Sequence, residues 1–224
     1  MKRKIAAIDG CGKGICLEED LPDLGPGDVL VQVQASLISP GTELGGVQAM
    51  RQNPDPDKKL RPFGYTNAGI VEQVGAEVQQ FKPGQGVACM GGGYALHSDW
   101  ALVPQNLCVS IPEGVSFEEA AAVHLAATGL HAVRRTAPLY GENGMVVGLG
   151  LVGQLSAQFA QLSGCHIMGV DHFALRRDIA ARIGIEGVVD ATNQDPVEQA
   201  GLFTAGYGMD FGIVAFGGEA SEAF

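Results

Sequence analysis

Short apolar runs alternate with segments of helical periodicity through the second half of the chain. The runs, each of which predicts a buried strand, are residues 145–147, 166–170, 187–189 and 210–215. Residues 151–163 and 173–183 carry apolar positions at helical spacing, whereas the stretch before the last run is interpreted as a connection. This alternation predicts an α/β fold with a doubly wound parallel sheet, its strands in the order 3-2-1-4.

The first half of the chain predicts strands of a different kind. Residues 29–35 alternate between apolar and polar side chains, as a half-buried strand does, and 68–75 and 87–90 are further strand candidates. Turns rich in proline and glycine separate these runs, which favours an antiparallel barrel or sandwich. The polar, proline-containing segment 51–61 is interpreted as an exposed loop.

A capping box marks the boundary between the two halves. Ser116 at the cap and Glu119 three residues later predict a helix that runs to about Arg135, with Pro138 beyond its end. The sequence therefore predicts two domains, a β-rich one over residues 1–125 and an α/β one over 126–224.

Composition and charge exclude several classes of partner. With 46% hydrophobic and 17% charged residues, the 224-residue chain is an ordinary globular protein. A formal net charge of −11 argues against nucleic acid and anionic membranes as partners. No apolar run reaches transmembrane length and charges follow the basic N-terminus, so we expect a cytoplasmic protein. The five scattered cysteines contain no C-x-x-C pair and indicate buried thiols in a reducing compartment.

A glycine-rich turn follows the first apolar run of the second half. Gly148, Gly150 and Gly153 have the G-x-G-x-x-G spacing of dinucleotide-binding turns. A strand precedes the turn, a helix follows it, and the second strand ends in Asp171, where a carboxylate could bind the adenosine ribose. Leu151 and Val152 begin the helix, whose free N–H groups would hold the diphosphate. The alternative is a structural cluster of glycines in a chain that has 33 of them.

Several segments resemble the medium-chain dehydrogenase/reductase family, the zinc alcohol dehydrogenase-like proteins. Gly64–Val71 resembles the family's G-H-E-x-x-G-V-V element, Phe81–Val87 its F-x-x-G-D-x-V turn, and Ala126–Gly129 the helix before its cofactor-binding domain. Ser36–Glu43 is similar to a branch that includes bacteriochlorophyllide dehydrogenase-like proteins. The resemblance implies a GroES-like β-barrel domain followed by an incomplete Rossmann domain. It also implies that Thr128 lies on the cofactor-binding side. A homodimer is usual for the family, but the oligomeric state stays open.

The residues that hold catalytic zinc in this family are mostly replaced. Ser39 stands where the family has cysteine, Tyr65 where it has histidine and Thr66 where it has glutamate, which leaves His124 as a single imidazole. One imidazole does not hold zinc, so a zinc-free site is expected. Tyr65, Ser39, Thr42 and His124 are the candidates for handling the proton, against the alternatives of packing and backbone capping. The neighbouring Glu43 is expected to be solvated, with the alternative that it orients a neighbouring side chain.

Two functions remain open at this point. The first is a nicotinamide-dependent oxidoreductase that moves hydride to or from a small alcohol, aldehyde, ketone or enone. Asp171 favours NAD over NADP, because its carboxylate would repel a 2′-phosphate, although Arg176 and Arg177 could offset that repulsion. The second is an inactive cofactor-binding or interaction module. Since the last strands of the usual order are missing, we expect weak hydride transfer and self-association at the fourth strand.

Overall fold

The computed structural model describes residues 1–217, which form two compact units. The first is Met1–His124 and the second begins at Leu125. The predicted second domain extends to residue 224, so its residues 218–224 lie outside the described part. Among the described residues, no helix has the length and apolar character needed to cross a bilayer.

Antiparallel strands dominate the first unit. They are β1 (Lys2–Ile8), β2 (Gly14–Asp20), β3 (Asp28–Ser36), β4 (Arg61–Pro62), β5 (Thr66–Val74), β6 (Gly86–Met90), β7 (Trp100–Pro104) and β8 (Cys108–Ser110). One sheet has the order β7-β3-β5-β6-β8 and the other the order β2-β1-β4. Apolar side chains that point inward from the larger sheet form the core, among them Val29, Val31, Val71, Val87 and Val103.

The helices of the first unit are short. They are α1 (Pro40–Glu43), α2 (Val47–Gln52) and α3 (Phe117–Ala121). The loop predicted over 51–61 is therefore wrong at both ends, since α2 covers its first residues and Arg61 pairs with Ile8 of β1. The capping box is confirmed, because the Ser116 hydroxyl accepts from the Glu119 amide and the Glu119 carboxylate accepts from the Ser116 amide.

The helix predicted over 116–135 is divided in two. Helix α3 ends at Ala121, and α4 (Val123–Thr136) begins after Ala122. The two segments bury different faces: Ala120 and Ala121 pack with Ala68 and Ala88, whereas Val133 packs with Val146 and Leu149. The break at Ala122 lies close to the end of the first unit at His124, and the periodicity of the sequence did not indicate it.

The second unit contains the predicted parallel sheet. After α4 its elements are β9 (Asn143–Val147), α5 (Leu151–Leu162), β10 (His166–Asp171), α6 (Ala174–Arg182), β11 (Gly187–Asp190), α7 (Pro196–Phe203) and β12 (Phe211–Val214). The sheet order is β11-β10-β9-β12, the predicted 3-2-1-4, and every pairing is parallel. The α/β fold class is confirmed. The stretch interpreted as a connection contains α7, which Asp195 caps and Pro196 begins.

Two thiols face each other across neighbouring strands of the first unit. Cys89 and Cys108 are directly paired on β6 and β8, with their Sγ atoms 3.8 Å apart. Contact with Cys108 and burial raise the pKa of the Cys89 thiol. Burial, followed by the negative charges of Glu142 and Asp210, also raises the pKa of Cys165. These groups therefore stay protonated at neutral pH, and a protonated thiol is a poor nucleophile.

Alkylation of the folded protein at pH 7.5 should consequently be selective. We expect iodoacetamide to modify Cys16, whose side chain is exposed, at least about tenfold faster than Cys89 or Cys165. Peptide mapping by mass spectrometry after timed labelling measures the rates. Labelling in denaturant is the control, since all five thiols should then react alike. Rapid labelling of Cys89 in the folded protein would contradict the packing of β6 against β8.

Candidate active site

The glycine turn of the second unit joins β9 to α5. Gly148 has φ +93°, a conformation that favours glycine. A Cβ atom on Gly153 would overlap the carbonyl oxygen of Gly148, so this glycine lets α5 pack against the end of β9. Gly150 has φ −67°, and a Cβ there would meet nothing within 4 Å. Gly153 is therefore closely packed against the backbone of the turn, whereas the space beside Gly150 is empty of protein atoms.

Asp171 lies directly beside this turn. Its Oδ2 accepts from the backbone N–H of Leu149 at 2.7 Å, and its Oδ1 accepts from the N–H of Phe173 at 2.7 Å. The residue is only 5% exposed, so these bonds offset the cost of removing a carboxylate from water. The aspartate thus fixes the turn between β9 and α5 to the end of β10.

Two arginines surround the same strand end. The Arg176 guanidinium lies 3.3 Å from Asp171 Oδ2 and 4.7 Å from the centre of the Phe173 ring. Arg177 donates to the Asp171 carbonyl and, at 2.7 Å, to Asp190 Oδ2. Arg177 is therefore engaged between two strand ends, whereas the Arg176 side chain is 44% exposed.

These features fit a dinucleotide. Helix α5 has twelve residues and begins at Leu151. The N–H groups of its first turn, which include those of Leu151 and Val152, have no acceptor within the helix. The open space beside Gly150 gives a diphosphate access to these groups. Asp171 ends the next strand, where an adenosine ribose would lie, and Arg176 on α6 contacts its carboxylate. Thr128, on α4 of the same unit, is exposed.

Two of the predicted catalytic residues contact each other in the first unit. The rings of Tyr65 and His124 meet edge to face, with centroids 5.2 Å apart and planes at 85°. Tyr65 is half-buried beside the strand β5 that begins at Thr66. The Thr66 hydroxyl is fully buried and donates to the carbonyl of Ala121 at 2.7 Å. The structure thus brings a phenol and an imidazole together.

The other two predicted residues, Ser39 and Thr42, lie on one turn of helix. Ser39 occupies the cap position of α1 and is buried, whereas Thr42 is exposed. The Ser39 side chain makes no capping bond. Instead its backbone N–H donates to Glu43 Oε2 at 2.6 Å.

The expectation that Glu43 is solvated is wrong. Its residue exposure is 5%, and Oε1 contacts Nε2 of His97 at 3.1 Å. Nδ1 of His97 contacts the hydroxyl of Ser36 at 2.9 Å. No local pattern predicts this cluster, because the glutamate and the histidine are 54 residues apart and meet only in the folded unit.

The side chains at the zinc-ligand positions do not fit zinc. Ser39, Tyr65 and Thr66 present neutral hydroxyls, which compete poorly with water for the metal, and His124 adds one imidazole. Across residues 1–217, no three histidine, cysteine, aspartate or glutamate side chains cluster in a way that could hold a metal ion. No chemical step is therefore derived through zinc, and the zinc-free site stays a prediction.

Comparisons with known proteins agree with this architecture. The family model described as alcohol dehydrogenase GroES-like domain matches residues 25–113, and the model described as zinc-binding dehydrogenase matches residues 152–223. The second match does not include Ser39, Tyr65 or His124. Both models therefore lie where the β-rich unit and the parallel sheet are found.

Similar proteins extend the comparison over most of the chain. An L-idonate 5-dehydrogenase from Vitis vinifera is 30% identical over 91% of this chain, which spans 64% of that relative. A solved alcohol dehydrogenase superfamily protein from Novosphingobium aromaticivorans is 26% identical, with a TM-score of 0.81 over 99% of this chain and 68% of that one. An Escherichia coli oxidoreductase shares the fold, with 22% identity and a TM-score of 0.86 over 96% of this chain and 70% of its own.

The order of domains, the parallel sheet with its glycine turn and the two family models point the same way. The chain belongs to the medium-chain dehydrogenase/reductase family.

Proposed function

We propose that the chain takes part in a nicotinamide-dependent oxidoreductase that transfers hydride to or from a small carbonyl, alcohol or enone substrate without zinc. The observation that carries the proposal is the glycine turn fixed to Asp171, with open space at Gly150 and helix α5 behind it. Dehydrogenases and reductases among the relatives support it, although the chain spans less than two thirds of the first of them.

The second unit supplies the cofactor site in this proposal. The bound nicotinamide cofactor would supply the hydride donor or acceptor. The amides at Leu151 and Val152 would hold the diphosphate, and the Asp171 carboxylate would accept from the adenosine ribose. The second hydroxyl of that ribose is retained in NAD and phosphorylated in NADP. A carboxylate at this point therefore favours NAD, while the exposed Arg176 limits the preference.

The first unit handles the proton. A carbonyl oxygen that receives hydride becomes more basic and needs a hydrogen-bond donor. Tyr65 and His124, in edge-to-face contact, provide a phenolic O–H and an imidazole for that role. Ser39 and Thr42 on α1 are the alternative donors. Substituting each of these four residues in turn would show which of them donates the proton.

Binding and turnover together test the function. Quenching of intrinsic fluorescence by NADH and by NADPH gives the two dissociation constants, and a panel of aldehydes, ketones, alcohols and enones tests hydride transfer by absorbance at 340 nm. We expect NADH to bind more tightly and at least one carbonyl class to be reduced. Binding without turnover would favour the alternative, a non-catalytic module, which the replaced ligands Ser39, Tyr65 and Thr66 also favour. Absence of dinucleotide binding would overturn the proposed function and leave only the alternative of an interaction module.

Purified protein should contain little zinc. Because three of the ligand positions carry neutral hydroxyls, elemental analysis without chelator should find well below one zinc per chain. The matched control is the double substitution Ser39→Cys and Tyr65→His, which restores two ligand types beside His124 and should raise the zinc content. Stoichiometric zinc in the unmodified protein would contradict the zinc-free proposal.

A further inference from the structure

A buried chain of three polar side chains lies beside helix α1. Glu43 and His97 have side-chain exposures of 4% and 8%, and their carboxylate and imidazole are 3.1 Å apart. The hydroxyl of Ser36, an exposed residue, lies 2.9 Å from the far nitrogen of the imidazole. Because a carboxylate only accepts, Nε2 of His97 donates to Glu43, while Nδ1 is in hydrogen-bonding contact with the Ser36 hydroxyl.

The imidazole is held from its own backbone. The His97 amide donates to the Phe63 carbonyl at 3.2 Å, and its carbonyl accepts from Ala6 at 2.8 Å. The Phe63 ring meets the imidazole edge to face at 5.0 Å. Gly64 permits this close approach, because a Cβ there would overlap the His97 amide. The His97 imidazole is thus held in one position, and the Glu43 carboxylate packs against it.

Helix α1, in contrast, cannot hold its own conformation. It is a single turn of four residues that includes Pro40 and Gly41, and one turn is far below the length at which a helix is stable alone. The Glu43 carboxylate accepts from the Ser39 amide at 2.6 Å, and the Glu43 carbonyl accepts from Nη2 of Arg61 at 3.0 Å. Both ends of the turn are therefore tied through one glutamate.

We propose that Glu43 and His97 are positioning residues of the proposed site, which hold Ser39 and Thr42 in place, and that Ser36 holds the imidazole ring from its far nitrogen. A buried carboxylate is costly unless every partner is present, so the cluster tolerates only one arrangement. The assignment rests on the proposed function, since it concerns the turn that carries two of the candidate hydroxyls. The alternative is that these contacts only stabilise the fold, and the experiments below separate positioning from stabilisation.

The primary variant is Glu43→Gln, which keeps the shape of the side chain and removes its charge. The control is Glu19→Gln, which removes the partner of Arg3 elsewhere in the same unit. Amide hydrogen exchange should accelerate roughly tenfold at Ser39 in Glu43→Gln, because a charge-assisted bond is lost, and remain unchanged in β3 and β5. With a substrate that the unmodified protein reduces, kcat should fall roughly tenfold to a hundredfold. The NADH dissociation constant should stay within about twofold, since the glycine turn is untouched.

Ser36 offers a milder pair of variants that leaves the buried carboxylate in place. Ser36→Thr keeps the hydroxyl, and Ser36→Val places a side chain of the same shape as threonine there without the hydroxyl. Both β-branched residues are suited to a strand end. We expect the valine variant to lower kcat severalfold and the threonine variant to restore it.

Each outcome decides between the roles. Unchanged exchange at Ser39 in Glu43→Gln, or equal behaviour of the threonine and valine variants, would overturn the positioning role. A loosened turn with unchanged kcat would show that the cluster serves stability alone, which also overturns it. If the unmodified protein binds NADH but reduces nothing on the panel, the proposed function fails and this assignment fails with it, a result visible before any variant is made.

Discussion

Replacing Gly153 with alanine is expected to destabilise the second unit by roughly 3 kcal/mol and to abolish dinucleotide binding. The new methyl group would overlap the Gly148 carbonyl oxygen, so α5 has to move away from the end of β9. That movement also displaces the amide of Leu149, which donates to Asp171. Urea unfolding followed by circular dichroism gives the loss of stability, and NADH titration gives the loss of affinity.

Gly150→Ala is the matched control for that experiment. The backbone there has φ −67° and an added methyl group meets no protein atom within 4 Å, so the unfolding free energy should change by less than about 1 kcal/mol. The same methyl group would occupy the space through which the diphosphate approaches, and NADH affinity should fall at least about tenfold. Unchanged affinity in Gly150→Ala would mean that the turn is structural. Unchanged stability in Gly153→Ala would contradict the packing of α5.

Substitution of Asp171 by serine should change the ratio of the NADH and NADPH dissociation constants by roughly a hundredfold in favour of NADPH. A carboxylate within hydrogen-bonding distance of a 2′-phosphate costs a few kcal/mol in a partly buried site, and serine removes that repulsion. The exposed Arg176 guanidinium, released from Asp171, is then available to the phosphate. Fluorescence titrations with both nucleotides on both proteins measure the ratio.

Asp190→Ser separates this electrostatic effect from a general loss of acidity. Asp190 ends the neighbouring strand β11 and pairs with Arg177, so its removal takes away a charge of the same sign at an equivalent position. The ratio of the NADH and NADPH dissociation constants of Asp190→Ser should stay near that of the unmodified protein. Asp171→Ser also removes the acceptors of Leu149 and Phe173, so some loss of stability accompanies it. Equal affinities for both nucleotides in the unmodified protein would remove Asp171 from the ribose site.

The second unit was largely predictable because its signals are local. Apolar runs, helical spacing and the glycine turn occupy contiguous residues, and the predicted strand order 3-2-1-4 is confirmed. Asp195 before Pro196 was a readable helix start, and α7 was missed although its signal was present. The role of Asp171 in fixing the glycine turn could not be predicted, since its hydrogen bond to the Leu149 amide joins residues that are 22 positions apart.

The candidate site of the first unit was less predictable for a physical reason. Tyr65 and His124 were selected by their positions in motifs, and the structure brings their rings together. The contact of Glu43 with His97 was not predicted, because burial of a polar side chain is decided by distant partners and not by its neighbours in sequence. Glutamate is mostly exposed in proteins, so the expectation for Glu43 followed the average and was wrong in this environment.

The place of β3 within its sheet has a consequence for biosynthesis. This strand lies between β5 and β7, and its pairing with β7 joins Asp28 to Pro104. A ribosome that makes 5–20 residues per second needs several seconds to reach β7 after β3 has emerged. During that interval one edge of an apolar strand has no partner, and such edges associate with other chains. Slower translation between these strands should therefore favour aggregation of the nascent chain, and a chaperone that shields extended segments should counter it.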